Sequence, residues 1–330
     1  MDTFPFKKLY LRESTIRERF ENLKKYPVNV QTLNRPYYIT NIPNIPRWMK
    51  GFGGKNIAFV FESKDYFTYN EISDFFTEQH RIFANRIGDV SLLEYWEKNK
   101  DTKYSQKERT PQELFELREE LSSDFYEVGT FRPVIAKCVV ELLELNCSSL
   151  KVMDFSAGWG CRLIAFLALG VYEYVGIDPN ESLHKEYETI TKFFDHNTKT
   201  TFIPSPFEEL DVGMYDSYFD LVFTSPPYFN LETYTQNPSQ SITKFPELDI
   251  WYNHFLLSCC KKAVKCLKPG GYLVLALNNS GKNSQDYVVR LVNDLSNTKN
   301  IKYRGLVPYS EMKGDKLKSP QPVWFFQRLF

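Results

Sequence analysis

Short apolar runs alternate with stretches of helical spacing from residue 150 to the end of the chain. The main runs lie at 151–155, 172–177, 200–204, 220–224 and 272–277, and two more lie at 302–307 and 322–330. This alternation is typical of strands joined by crossover helices in a parallel sheet. We therefore predict a doubly wound α/β sheet that ends in a hairpin and binds ligands at the carboxyl ends of its strands.

Helices between these runs are predicted at 161–169, 181–196, 249–267 and 287–295. The first is expected to end at Gly170, because glycine accepts the left-handed conformation found at many helix ends. Upstream of the sheet, Thr110, Pro111 and Glu113 have the signature of a capping box and predict a helix to about residue 124. Another helix is expected to begin just after Pro133.

The first 105 residues have a different pattern. They contain a charged helical stretch at 12–25, a segment rich in proline, asparagine and glycine at 26–54, and an aromatic region at 59–83. We therefore divide the chain into an appended N-terminal domain, residues 1–105, and a sheet-bearing domain, residues 106–330. The appended domain is a candidate for substrate recognition.

Composition places the chain among ordinary globular proteins and excludes several classes. Hydrophobic residues make up 42% of it and aromatic residues 16%, which is enough to bury a large core. No apolar stretch is long enough to span a bilayer, so we expect a soluble, intracellular protein of the cytoplasm with no membrane partner. The six cysteines form no C-x-x-C pair, and neither a disulfide framework nor a metal site is predicted.

The net charge argues mildly against a nucleic-acid partner. Lysine and arginine number 41, and aspartate and glutamate also number 41, whereas many nucleic-acid binders carry a basic surplus. Local basic clusters are the counter-argument, although a solvated surface explains them equally well. The clusters are Lys7, Lys8, Arg12, Arg17 and Arg19 near the start, and Lys313, Lys316 and Lys318 near the end.

A glycine-bearing turn, DFSAGWG at 154–160, lies between the first predicted strand and the next helix. Glycines let the backbone approach a ligand closely, and a helix N-terminus is electropositive. A nucleotide-phosphate site or a purely structural turn fits this pattern as well. The candidate cofactor-binding residues here are Asp154, Ser156, Ala157, Gly158 and Gly160.

The second predicted strand ends in Asp178, which favours a cofactor that contains adenosine. A carboxylate at that position can accept hydrogen bonds from both ribose hydroxyls. The alternative role of Asp178 is to form a turn before Pro179. Weaker cofactor-binding candidates are Glu208 after the third strand, and Thr130, Phe131 and Arg132 ahead of the helix that precedes the first strand.

The fourth predicted strand ends in Ser225, Pro226, Pro227 and Tyr228, the most specific signal in the chain. Together with DFSAGWG and GIDPN at 176–180, this tetrapeptide resembles the DNA amino-methyltransferases of bacteria, phages and large DNA viruses. Those enzymes carry a D/N/S-P-P-Y/F motif at this place. The resemblance covers the stretch 126–277 and leaves out the first hundred residues.

The resemblance implies a class I methyltransferase fold for residues 106–330, with S-adenosylmethionine as the cofactor and DNA as the partner. It also implies methyl transfer to the exocyclic amine of a flipped-out base, as in restriction–modification systems. Cytosine N4 is favoured over adenine N6, since serine at the first motif position leans toward cytosine in this family. RNA or a protein glutamine amide stays open as the acceptor, and so does a catalytically inert binding subunit.

The motif residues suit an acceptor amine that is a poor nucleophile because its lone pair is delocalised into the ring. The Ser225 hydroxyl and the Pro226 carbonyl are expected to hold the amine hydrogens and aim the lone pair at the methyl group. The prolines stiffen the loop, and the Tyr228 ring stacks on the base. A structural Pro-Pro turn is the alternative. Methylation at a ring carbon needs a cysteine nucleophile, and none follows the fourth strand.

Sequence-specific recognition has two candidate locations, because no recognition domain fits between the glycine turn and the tetrapeptide. One is the N-terminal hundred residues, and the other is the loop 229–248. Asparagine and glutamine in that loop can pair with base edges, although solvated loop polarity explains them as well. The loop candidates are Tyr234, Gln236, Asn237 and Gln240.

Overall fold

A mixed β-sheet forms the centre of the computed structural model, which describes residues 3–33, 42, 49–86, 88–104, 109–279, 286–313 and 316–330. The strands are β1 Val30–Thr32, β2 Ile57–Phe61, β3 Asn85–Arg86, β4 Lys151–Asp154, β5 Glu173–Ile177, β6 Lys199–Ile203, β7 Phe219–Thr224, β8 Glu232–Thr233, β9 Leu267–Ala276, β10 Ile301–Lys313 and β11 Lys316–Arg328. Nine of these described strands form the sheet in the order β1-β2-β10-β11-β9-β7-β4-β5-β6, while β3 and β8 pair separately.

The strands β9, β7, β4, β5 and β6 are all parallel and make the doubly wound part of the sheet. Beside them, β11 runs antiparallel to β9 and forms a hairpin with β10. Farther out, β2 pairs parallel with β10 and antiparallel with β1. The predicted final hairpin is therefore confirmed, and it lies inside the sheet because the N-terminal strands continue beyond it.

Helices cover both faces of this sheet. The described α-helices are α1 Glu13–Lys24, α2 Ser63–Arg81, α3 Leu92–Asn99, α4 Pro111–Asp124, α5 Val134–Leu142, α6 Cys161–Leu169, α7 His184–Phe193, α8 Ser241–Lys244, α9 Leu248–Trp251, α10 Ser258–Cys266 and α11 Tyr287–Ser296. A π-helical segment, Tyr252–Leu257, joins α9 to α10. On one face α1, α2, α5, α6 and α7 pack together, whereas α10 and α11 cover the other face.

Successive residues of the central strands point into two different cores, as the pleat of a strand requires. On β4, Val152 packs in the core with α5 and α6, whereas Met153 packs in the core with α10 and α11. Both side chains are fully buried. Burial on both faces explains why these strands read as continuous apolar runs in the sequence.

The predicted helix ends are confirmed at two places. The Thr110 side chain accepts a hydrogen bond from the Glu113 backbone, and the Glu113 side chain accepts one from the Thr110 backbone, which completes the capping box of α4. Gly170 follows α6 in the left-handed conformation with φ of 64°. A second capping box, Ser91 with Glu94 at the start of α3, was not predicted.

The first 105 residues join the sheet and the core of the rest of the chain. Besides β1 and β2 in the sheet, Phe20 of α1 stacks on Phe194 with ring centroids 3.9 Å apart. Glu127 bridges two buried guanidinium groups, those of Arg81 at 2.5 Å and Arg118 at 2.8 Å. The predicted boundary near residue 105 stays a prediction, but the two parts share one core.

Several basic residues near the start of the chain are engaged within the molecule. The Lys7 ammonium group lies 2.7 Å from the Asp74 carboxylate, Arg19 forms an ion pair with Glu71, and the Arg17 guanidinium packs on the Phe193 ring. Near the end, Lys318 is exposed, and the side chains of Lys313 and Lys316 lie outside the described residues. Among the described helices, none has the length and apolar character to cross a membrane.

Candidate active site

A cavity of about 620 Å³ opens at the carboxyl ends of β4, β5 and β7, where a doubly wound sheet is expected to bind ligands. It brings together most of the site residues predicted from the sequence. Those that line it are Thr130, Phe131, Ser156, Ala157, Gly158, Asp178, Glu208, Ser225, Pro226, Pro227 and Tyr228. Three predicted residues, Asp154, Gly160 and Arg132, lie outside its lining.

The turn between β4 and α6 forms one wall of the cavity. Gly158 and Gly160 have φ of 56° and 77°, in the left-handed region that favours glycine. A side chain at position 160 would come within 3.0 Å of Ile190, so Gly160 allows α7 to pack close behind the turn. The Tyr187 hydroxyl of α7 donates a hydrogen bond to the Gly158 carbonyl at 2.5 Å. The turn is therefore held in one conformation from behind.

Asp154 supports the turn from the protein interior. Its carboxylate accepts hydrogen bonds from Arg162 Nε at 2.7 Å, from the Tyr174 hydroxyl at 3.0 Å and from the Ser156 backbone at 3.2 Å. The residue is fully buried. Its carboxylate is thus occupied by groups of the protein itself, and Asp154 supports the shape of the turn.

Asp178 lies at the end of β5 with its carboxylate at the cavity wall. One oxygen accepts the Gly158 N–H at 2.8 Å and the other accepts the Asn180 N–H at 2.9 Å. Burial raises the pKa of Asp178, and the two backbone hydrogen bonds partly oppose that shift. Each carboxylate oxygen has capacity for a second donor. Asp178 therefore both fixes its own turn and presents a rigid acceptor to the cavity.

The part of the cavity beyond β6 combines aromatic faces with an anchored carboxylate. Phe155 and Phe207 stack with ring centroids 4.9 Å apart and planes at 11°, and both line the cavity. The neighbouring Glu208 binds the Lys244 ammonium group at 2.8 Å. The two phenylalanines were not predicted from the sequence, because an apolar residue after a strand is indistinguishable there from ordinary core.

The tetrapeptide begins directly after β7, where the first proline ends the strand. The Tyr228 hydroxyl donates to the Ala276 carbonyl at 3.3 Å, which joins the loop to the end of β9. Burial raises the pKa of Tyr228, while a hydrogen bond with Ser225 partly offsets that shift. Phe229 follows with φ of 46°, a conformation that L side chains rarely adopt, and its ring packs on Trp251.

A wall of the cavity that was not predicted comes from the N-terminal part of the chain. Arg86 of β3 is the register partner of Glu232 on β8, in the loop that follows the tetrapeptide. The Arg86 guanidinium lies 3.9 Å from the Tyr126 ring centroid, and all three residues line the cavity. A strand of two residues has no periodicity, so the sequence offered no signal for this pairing.

Glu232 is half-buried in this wall and bonded within its own loop. Its carboxylate accepts a hydrogen bond from the Tyr234 hydroxyl at 2.8 Å. Burial raises the pKa of Glu232, and the Tyr234 hydrogen bond and the Arg86 charge partly oppose the shift. Burial also raises the pKa of Tyr234 well above its ordinary value.

The segment ahead of α5 is divided between the cavity and the sheet. Thr130 lines the cavity and accepts a hydrogen bond from the Asn70 amide at 2.5 Å, and Phe131 packs under the Arg162 guanidinium at 4.9 Å. Arg132 points away, toward Glu311 at 3.8 Å. Successive side chains at a helix N-terminus point in different directions. Thr130 and Phe131 therefore line the cavity, whereas Arg132 does not.

The loop amides proposed for base recognition are largely used to build the loop. Gln240 donates to the Thr235 carbonyl at 2.5 Å and accepts the Tyr234 N–H at 3.1 Å. The Asn237 side chain accepts from the Ser239 backbone at 2.9 Å. Gln236 is exposed. Tyr234 and Gln240 nevertheless line the cavity.

A single cysteine, Cys161, is among the residues that line the cavity. It begins α6, and its thiol lies 3.1 Å from the Ser73 hydroxyl. Burial raises the pKa of Cys161 to about 11, so the group is a neutral thiol at physiological pH. A protonated thiol is a weak nucleophile. In the described residues, no cluster of potential ligands suits a metal ion.

No protein-family model matches the chain, and no curated protein does. Among solved structures, a tRNA methyltransferase from Aquifex aeolicus is 15% identical, with a TM-score of 0.39 over 62% of this chain and 71% of that one. An O-methyltransferase from Thermotoga maritima is 13% identical, with a TM-score of 0.40 over 63% and 70%. An rRNA methylase from Streptococcus thermophilus is 18% identical, with a TM-score of 0.40 over 62% and 100%.

These similarities are too low to bear on substrate or mechanism. The fold follows from the described sheet itself. Its five parallel strands have β4 at the centre, with β5 and β6 on one side and β7 and β9 on the other, and the antiparallel strand β11 lies next to β9. The predicted class I, Rossmann-like α/β fold is confirmed by this arrangement.

Proposed function

We propose that the chain is an S-adenosylmethionine-dependent methyltransferase that methylates the exocyclic amine of a base in DNA, with cytosine N4 preferred to adenine N6. One observation carries the proposal. A single cavity joins the glycine turn and Asp178, at the ends of β4 and β5, to Ser225–Pro226–Pro227–Tyr228 at the end of β7. A donor site and an acceptor site therefore meet at adjacent strand ends.

The cofactor half of the cavity suits an adenosine. Asp178 is positioned to accept hydrogen bonds from two ribose hydroxyls, and Gly158 leaves room for the ligand beside the backbone. The stacked rings of Phe155 and Phe207 offer apolar faces for a flat ring, with Glu208 nearby as an acceptor for an amino group. When bound there, S-adenosylmethionine supplies a sulfonium methyl group.

The acceptor half suits a weakly nucleophilic amine. The Ser225 hydroxyl and the Pro226 carbonyl accept hydrogen bonds from the amine hydrogens, so the nitrogen lone pair turns out of conjugation and toward the methyl group. Tyr228 presents its ring face to a base that has left its stack. The hydrogen bond to Ala276 anchors the hydroxyl end of that ring. The nitrogen gains the methyl group and loses a proton, which leaves along a hydrogen bond toward water.

The decisive experiment identifies the methylated atom directly. Purified protein is incubated with methyl-labelled cofactor and with DNA from cells that lack methyltransferases, total RNA, or protein, and the labelled material is digested and analysed by mass spectrometry. We expect methylcytosine from DNA. Label in RNA or protein alone would reassign the acceptor. Cofactor binding without any transfer would identify an inert subunit, and Ser225→Ala protein prepared in parallel controls for contaminating methylases.

A further inference from the structure

Arg86 is a charged residue of the cavity wall to which the proposed reaction gives no role. It reaches the cavity through the pairing of β3 with β8, in which its Cα partner is Glu232. This pairing brings a residue of the N-terminal region next to the loop that follows the catalytic tetrapeptide. The backbone of Arg86 is therefore held beside the loop that follows Tyr228 by strand pairing.

The guanidinium group of Arg86 has a donor left unused. Its Nε is buried and has no hydrogen-bond partner among the described residues. The group is stacked 3.9 Å from the Tyr126 ring, which fixes its plane. A buried donor on a charged group is costly unless an acceptor meets it. The guanidinium group therefore has hydrogen-bonding capacity that the described residues do not satisfy, and Arg86 lines the cavity.

Arg86 belongs to the acceptor end of the cavity. Its register partner Glu232 lies on β8, in the loop that follows Tyr228, and is bonded to Tyr234 of the same loop. The cofactor residues Asp178 and Glu208 come instead from the loops after β5 and β6. A donor at Arg86 therefore faces the base and not the adenosine.

The edge of cytosine complements this arrangement of donors and acceptors. Ser225 and Pro226 accept from the amine at one end of that edge, and a guanidinium donor at the other end requires an oxygen or nitrogen acceptor. Cytosine has a carbonyl oxygen, O2, across the ring nitrogen from its amine. Adenine has no carbonyl oxygen. Arginine is well suited to such an oxygen because its planar fork presents several donors in fixed directions.

We infer that Arg86 donates a hydrogen bond to O2 of the acceptor cytosine and so selects cytosine over adenine. The inference rests on the proposed amino-methyltransferase function. It supplies the discrimination that the serine of the tetrapeptide lacks, since the amines of both bases carry two hydrogens and adjoin a ring nitrogen.

The test compares a natural substrate with one that lacks the oxygen. An oligonucleotide carries, at the position methylated by the native enzyme, either cytosine or the 2-aminopyridine C-nucleoside, which keeps the amine and adjacent ring nitrogen but has no carbonyl oxygen. We expect the native enzyme to disfavour the analogue about tenfold or more in kcat/KM, as for loss of a hydrogen bond to a charged group. In Arg86→Met this preference should vanish, and Arg86→Lys should retain part of it.

A matched control is Arg290→Met, because Arg290 also lies 3.9 Å from a tyrosine ring, that of Tyr252, but outside the cavity. It should keep the full preference. Unchanged calorimetric affinity for S-adenosylmethionine in Arg86→Met would show that the variant is folded.

Three results would overturn the inference. The first is equal use of both substrates by the native enzyme. The second is a loss in Arg86→Met that is the same for both substrates, as expected for a phosphate contact. The third is methylation of adenine instead of cytosine. Absence of any methyl transfer by the native enzyme would instead refute the proposed function, so the two failures are distinguishable.

Discussion

Replacing Asp178 with alanine should weaken the binding of S-adenosylmethionine. If its carboxylate accepts both ribose hydroxyls, two hydrogen bonds to a charged acceptor are lost, at about 1.5–3 kcal/mol each. Their sum corresponds to a rise in Kd of about 100-fold or more. Asp178→Asn keeps one carbonyl oxygen as an acceptor, so its loss of affinity should be intermediate.

The structure adds a second, separable effect of Asp178→Ala. The backbone N–H groups of Gly158 and Asn180 lose their acceptor, at a cost of about 1–3 kcal/mol for each group that water does not reach. Thermal unfolding without cofactor measures this effect alone, and isothermal titration with S-adenosylmethionine measures binding. Asp216→Ala is the control, since the Asp216 side chain is 71% exposed and lies outside the cavity lining.

The same carboxylate predicts a pH dependence of binding. Burial raises the pKa of Asp178 in the free protein, and hydroxyl donors bind the ionised form better than the protonated one. Affinity should therefore fall as the pH is lowered toward that raised pKa, whereas Asp178→Asn should show no such decline. A folded Asp178→Ala protein that binds within about threefold of the native affinity would refute the ribose assignment.

Three further predictions test the acceptor site and the electrostatics around it. Tyr228→Ala and Ser225→Ala should each lower kcat for methylation with little change in cofactor affinity, and Tyr228→Phe should be milder because stacking needs only the ring; normal turnover in both alanine variants would contradict the assignment. Glu232→Gln should stabilise the protein increasingly as the pH rises above the ordinary pKa of glutamate, because the raised pKa of Glu232 makes its contribution to stability complete below its ordinary pKa and lost as the pH rises through the folded value; a thermal shift independent of pH would argue against this. Glu127→Ala should destabilise the protein by about 3 kcal/mol or more in urea unfolding, since it leaves two buried guanidinium groups without their shared carboxylate. The native pKa of Glu127 is held below its usual range by those groups against the effect of burial, so the difference should shrink as the pH falls through that range, and an equal loss at every pH would show that lost packing alone is responsible.

The doubly wound part of the fold was predictable because its signals are local. Strands buried on both faces give apolar runs, and Thr110 and Gly170 mark helix ends through contacts with near neighbours in the chain. The tetrapeptide was also predictable, because proline restricts the backbone at Pro226 wherever the rest of the chain lies. The predicted strands are confirmed by β4, β5, β6, β7 and β9.

The remaining features depend on contacts between distant parts of the chain. The sequence places Asp154 at the end of a strand, but its inward direction depends on Arg162 and Tyr174, which occupy its carboxylate. Arg86 reaches the cavity because β3 pairs with β8, and each of these strands is two residues long. The strands β1 and β2 were not predicted for the same reason, since the place of β2 in the sheet is decided by its pairing with the distant β10.

The position of β2 has a consequence for how the polypeptide acquires its structure during synthesis. Phe59 of β2 pairs with Tyr309 of β10, so one edge of β2 cannot be paired until β10 has left the ribosome. Closing so long a loop is slow. The apolar segment IAFVF of β2 is buried in the folded protein. Until β10 is available, this segment stays exposed and prone to aggregation. We therefore expect efficient folding in cells to depend on chaperones that shield this segment until the C-terminal hairpin emerges.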